Sequence, residues 1–158
     1  MTDKILLKKI AFLSLFLGVV LGVIATIPFI GAIAFWVLMC LSSTCIFLLL
    51  RAAQVFDLYS IQQSSVLGAL IGFLSFIGFA TIYIPVVIIF AGIFKIYLNY
   101  GVSVTLTHAS FGLIIAFVIF MGILSATINA FSGFLTFYGI DFYNKLQNQN
   151  NDEQFRLK

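Results

Sequence analysis

Three long stretches of this chain contain no formally charged residue: residues 10–50, 58–94 and 96–140. A helix rises about 1.5 Å per residue, so roughly 20 apolar residues cross a hydrocarbon core ~30 Å thick. Each run is long enough for one crossing, and the first is long enough for two. Of the 158 residues 63% are apolar and 8% charged, and mean hydropathy is +1.20. A soluble domain has about a quarter of its residues charged, so a water-facing surface cannot be built from this composition. The chain reads as an all-α integral membrane protein.

The net charge is +3 and the pI near 9.0. The basic residues stand at the ends of apolar runs, where they act as topology signals and do not point to nucleic acid. With the N-terminus inside, Lys4, Lys8, Lys9, Arg51, Lys145, Arg156 and Lys158 face the cytoplasm, and Lys95 alone faces outward. That bias follows the positive-inside rule. The expected architecture is four transmembrane helices in two hairpins, N-in and C-in, over residues 1–140, with an interfacial segment after the third helix. Residues 141–158 are expected to form a polar cytoplasmic tail. Lys4, Lys8 and Lys9 before an apolar stretch, then Ala32-Ile33-Ala34, loosely resemble a signal peptide. The stretch exceeds the about 7–15 residues usual for such a region, so it reads as a retained span.

Span one is expected over residues 10–27, and Pro28-Phe29-Ile30-Gly31 supplies a breaker and a flexible residue for a tight hairpin. Span two covers 32–50 and stops at Arg51, with Trp36 near its start at an interface. A polar connection containing Gln54, Asp57, Gln62 and Gln63 follows. Ser60 and Gln63 fit a capping box that opens span three, 64–84. A helix continuing to residue 94 would exceed the bilayer, so a kink or break is expected at Pro85. Residues 86–100 would then lie along the interface, with Lys95, Tyr97 and Tyr100 as its anchors. The Val102-Ser103-Val104-Thr105-Leu106-Thr107 alternation is a strand-like signal that also suits an extended loop. His108 and Ser110 lead into span four, 111–138, with His108 capping its outer end. The Asn- and Gln-rich tail reads as helical at first and then disordered.

Small residues recur every four positions at Ser14, Gly18, Gly22 and Thr26, and again at Ser64, Gly68 and Gly72. Each set lines one helix stripe and lets a neighbouring backbone approach closely. The matching placement of Gly18 and Gly68 fits either a duplicated hairpin or independent use of small residues for packing. In span four, Ser125, Asn129, Ser132 and Thr136 fall at i, i+4, i+7 and i+11, with Gly122, Ala126 and Gly133 beside them. In lipid such side chains need partners, so the stripe faces the bundle interior or another subunit. One reading is interhelical hydrogen bonding, with Ser42, Ser43 and Thr44 as possible partners; the other is a solute path or a ligand site at Asn129.

No Asp, Glu, Lys or Arg lies deep in a span, which argues against a proton- or sodium-coupled transporter. Cys40 and Cys45, five positions apart, point about 140° from each other on one helix and read as packing thiols. His108 is the single histidine and has no acid near it in sequence. No nucleophile elbow, phosphate loop, zinc motif or cofactor fingerprint is present. The expectation is no enzyme, no catalytic or metal residues and no cofactor.

The order Gly-rich span, Ile27-Pro28-Phe29-Ile30-Gly31 hairpin, second span, polar loop and Leu67-Gly68-Ala69-Leu70-Ile71-Gly72 resembles uncharacterised bacterial four-span membrane proteins over roughly residues 12–80. The resemblance implies topology only and no activity; the expected location is a bacterial cytoplasmic membrane. The leading functional expectation is an accessory, assembly or scaffold subunit that packs against partner membrane helices or a second copy, within membrane lipid. The alternatives are a passive channel or small-solute transporter, and an immunity-type protein that binds a membrane toxin.

Overall fold

The computed structural model describes residues 2–27, 29–53, 60–98 and 100–156, and the side chains of 4–27, 29–53, 60–98 and 101–147. Pro28, Gln54 and Asp57 therefore lie outside the described residues, and Tyr100 is described by its backbone alone. Five helices follow in order: α1 Thr2–Ile24, α2 Ile30–Ala52, α3 Ile61–Gly92, α4 Tyr100–His108 and α5 Phe111–Arg156. No strand occurs among the described residues. Four of the helices, all but α4, are long and apolar enough to cross a membrane.

Helix α3 is central. It packs most extensively on α5 and α1, and α2 touches all three. Paired contacts give the directions. Gly18 and Gly22 of α1 meet Ser75 and Phe79 of α3 in ascending order, so these two helices run parallel. Gly68 and Gly72 of α3 meet Asn129 and Ser125 of α5 in descending order, so that pair is antiparallel.

The turn after α1 closes through Ile27 N–H to Ile24 C=O and Gly31 N–H to Ile27 C=O, both 3.0 Å. Phe29 holds φ at 68°, in the left-handed region that costs a non-glycine residue about 1–2 kcal/mol. A Cβ on Gly31 would run into the Ala25 carbonyl, so a residue without a side chain is required there.

Ser60 caps α3 as its sequence predicts, its hydroxyl accepting from Gln63 N–H at 3.2 Å. Of the kink or break expected at Pro85, the break does not occur: α3 runs through it to Gly92. Proline removes one donor, the bond to the Thr81 carbonyl, and membrane helices tolerate such a loss where packing continues. Here Val87 and Ala91, beyond the proline, are buried at 0% and 2% exposure, which holds the last two turns in place. At about 48 Å for 32 residues, α3 exceeds a ~30 Å core and must tilt or protrude. It ends where Lys95 turns left-handed at φ 58° and Ile96 N–H returns to Phe90 C=O at 3.0 Å.

The segment after Pro85 is therefore not one interfacial stretch over residues 86–100. The non-helical part begins after Gly92, and residues 100–108 form α4. The alternating 102–107 segment is helical, neither strand nor extended loop. Ser103 and Leu106 lie one turn apart and are buried, while the Thr105 and Thr107 hydroxyls bond back to Gly101 and Ser103 carbonyls at 2.8 and 2.9 Å. A lone strand would leave its backbone groups unpaired; a helix satisfies them internally.

His108 Nδ1 lies 3.0 Å from Val104 C=O, so this histidine finishes α4 and does not cap α5. Ser110 opens α5, its carbonyl accepting from Ile114 N–H at 3.1 Å. The polar segment from residue 141 begins as helix, as its sequence suggests. Helix α5 is continuous for 46 residues, about 69 Å. Its extension carries an Asp141–Lys145 ion pair one turn apart at 2.8 Å, and Arg51 of α2 donates to Asn144 Oδ1 at 2.7 Å.

Candidate functional site

Asn129 is fully buried at the middle of the bundle. Its carboxamide bridges the donor and acceptor of one i→i−4 pair in α2. Ser43 N–H, whose regular helical partner is Met39 C=O, donates to Asn129 Oδ1 at 2.9 Å. Asn129 Nδ2 in turn donates to Met39 C=O at 2.9 Å, with Leu38 C=O at 3.3 Å and Ser125 C=O at 3.1 Å also in reach. Ser43 Oγ donates to the Asn129 carbonyl at 2.9 Å. Every polar atom of the side chain is thus engaged by its own chain.

Around this residue the α3–α5 crossing is registered in steps of four. Ser64 Oγ donates to the Gly133 carbonyl. One step along, a Cβ on Gly68 would lie 2.5 Å from the Asn129 carbonyl oxygen, and one on Gly72 would lie 2.6 Å from that of Ser125. Ser125 Oγ closes the series by donating to Gly72 C=O at 3.0 Å. Each end has a serine on one helix bonding a glycine carbonyl on the other. That is possible because neither glycine carries a side chain between the backbones.

The rest of the span-four stripe faces α2. Thr44 Oγ1 lies 2.8 Å from both Ser132 Oγ and Thr136 Oγ1, and Thr136 also donates to Ser132 C=O at 2.8 Å. Of the three residues expected as partners, Ser43 and Thr44 bond across to α5. Ser42 bonds its own helix at Leu38 C=O, 2.7 Å.

The α1 set has a different partner. Gly18 and Gly22 press on the backbone of Ser75 and Phe79, and Gly78 of α3 presses reciprocally on Leu15. Ser14 is buried and donates to Ile10 C=O at 2.7 Å. Thr26 falls outside this crossing, in the turn after α1, with its hydroxyl on Val23 C=O at 2.7 Å. Both small-residue stripes are therefore occupied within the chain, but not by each other. Sequence reasoning missed Ser75 and Gly78, whose three-residue spacing follows the other packing ridge of a helix.

The residues expected at an interface are spread out. Trp36, Lys95, Tyr97 and His108 are exposed, Trp36 in the second turn of α2 and the others near α4. Cys40 and Cys45 are half-buried and unlinked.

A second feature had no counterpart in the sequence. Where the α1–α2 turn, the middle of α3, α4 and the first turns of α5 meet, the bundle encloses a cavity of about 380 Å³. Its wall contains Phe79 stacked on Tyr83 at 5.0 Å and tilted against Phe35 at 6.1 Å. The chain matches no protein-family model, no curated protein and no solved structure.

Proposed function

We propose that the protein is a non-catalytic integral membrane subunit, with both ends on the cytoplasmic side of a bacterial cytoplasmic membrane, that packs against the membrane helices of a partner protein. The orientation rests on seven basic residues at one end of the spans against Lys95 at the other.

The observation that carries this reading is the division of α5 into two faces. One face, from Ser125 to Gly133, is consumed by α2 and α3. The opposite face and nearly the whole perimeter of the first turns are uncovered: Phe111, Leu113, Phe120 and Phe131 are all between 56% and 78% exposed. Aromatic side chains give large contact area at low entropic cost, which suits a helix interface. A solute path along the polar stripe would instead require α2 and α5 to part, because Ser125 and Asn129 are fully buried.

The test is a photo-crosslinking residue placed in native membranes at Phe120 and, separately, at Phe131. A discrete adduct to one polypeptide supports the proposal and identifies the partner. Adducts to lipid alone at both positions would overturn it.

A further inference from the structure

We infer that the cavity beneath α4 is a binding site for a single hydrocarbon chain of a membrane lipid. This rests on the bundle sitting in a bilayer, and is independent of any protein partner.

The lining is uncharged throughout, so no side chain there would recognise a phosphate, a carboxylate or a cation. One wall is aromatic, with Phe35, Phe76, Phe79 and Tyr83. The roof is aliphatic, with Leu98, Val102 and Leu106. Water is a poor occupant, because it needs two to four polar partners and leaves apolar cavities dry. An empty space of this size is also unfavourable, since its lining loses dispersion contacts.

Size narrows the occupant further. A methylene group occupies roughly the ~30 Å³ of a water molecule, so about 380 Å³ holds on the order of a dozen chain carbons. That is one acyl chain and not a whole two-chain lipid. Access is lateral: Trp36 and Phe117 line the cavity and are 67% and 49% exposed on the outer surface of the bundle. In a bilayer that surface is bathed in acyl chains. The Tyr83 hydroxyl, which has no hydrogen-bond partner among the described residues, lines the same space. It offers one donor to a chain carrying an ester or hydroxyl oxygen.

Trp36 is the sole tryptophan, and it reports on the mouth directly. The full chain in detergent is titrated with a single-chain lysophospholipid brominated on its acyl chain, while tryptophan fluorescence is read. The expected result is saturable quenching at one lipid per chain, above the linear background from micelle partitioning. Ala80→Phe fills the cavity from α3 and weakens half-saturation at least ten-fold. Because Ala80 is buried, Ala32→Phe is a second variant: Ala32 lines the cavity from an exposed position, so folding is not at risk, and it acts in the same direction. Ala116→Phe, exposed on α5 outside the lining, leaves the titration unchanged. Purely linear quenching of the wild type overturns the inference. So does saturable quenching that neither cavity variant weakens, since the lipid would then be held elsewhere.

Discussion

The Ser43 amide of α2 donates to Oδ1 of Asn129 on α5 at 2.9 Å, and the same carboxamide donates back to the Met39 carbonyl at 2.9 Å. One side chain thus engages the donor and the acceptor of an i→i−4 pair in its neighbour and ties two parallel helices at mid-bundle. Interhelical polar bonds in membranes average about 0.6 kcal/mol and reach ~1.7. The set at Asn129 is therefore expected to contribute about 1–3 kcal/mol.

Asn129→Leu removes that set. The α2 ladder can then close on itself, so no buried donor is stranded, and the expected loss is about 1–3 kcal/mol in reversible detergent unfolding. Asn129→Asp is more severe at neutral pH, because it turns a donor into an oxygen facing the Met39, Leu38 and Ser125 carbonyls. A stability of the Asp variant equal to that of the wild type would show that the carboxamide donors to these carbonyls do not matter.

Glycine-to-alanine changes separate close approach from helix propensity. Gly18→Ala and Gly72→Ala put a methyl group into the Ser75 and Ser125 carbonyls, and overpacking of this kind costs about 1–3 kcal/mol. Gly112 and Gly139 have nothing within 4 Å of the added Cβ. There the same substitution is expected to stabilise the helix by about 0.5–1 kcal/mol. Thermal unfolding of the four variants should split them by sign, two down and two up.

What could be read from the chain follows the range of the interaction responsible. Charge-free runs report the four long helices because the bilayer acts on each segment separately. The Ser125-to-Thr136 stripe was visible because one helix must satisfy four polar groups on one face, and Ser43 and Thr44 were the nearest polar groups able to answer. At Pro85 a local rule predicts a kink or a break, whereas burial of Val87 and Ala91 against other elements keeps the helix running through it. Residues 102–107 misled because six alternating residues also place Ser103 and Leu106 on one helical face. The cavity had no sequence signal, since its walls come from four separate segments with no shared period.

Continuity of α3 makes a direct prediction about its proline. Pro85 is exposed, so Pro85→Ala disturbs no packing and restores the bond to Thr81 C=O. Proline within a helix costs up to about 3 kcal/mol relative to alanine, so the variant is expected to be more stable than the wild type, by an amount no larger than that. The new amide at residue 85 should be protected, and hydrogen exchange in the following turn should slow. A less stable Pro85→Ala protein would mean that the packing of α3 depends on the local geometry the proline imposes.

Two side chains hold the turns that frame the cavity in a left-handed conformation, Phe29 at φ 68° and Lys95 at φ 58°. Glycine adopts this region without the Cβ clash, so relief of about 1 kcal/mol is expected at each position. Phe29 is 96% exposed at the edge of the cavity, so Phe29→Gly removes little packing and unfolding should report most of the relief. Lys95→Gly gains the same backbone term but removes the one basic residue on its side of the spans. Its effect is therefore expected in two readouts: higher stability of the purified protein and, under the proposed N-in, C-in topology, an unchanged orientation, since the other basic residues of the sequence are unaffected. Lys95→Val at the same site should do the reverse to stability, since a β-branched residue fits poorly at positive φ. If glycine and valine at position 95 give equal unfolding temperatures, the left-handed turn that ends α3 is not populated in the folded protein.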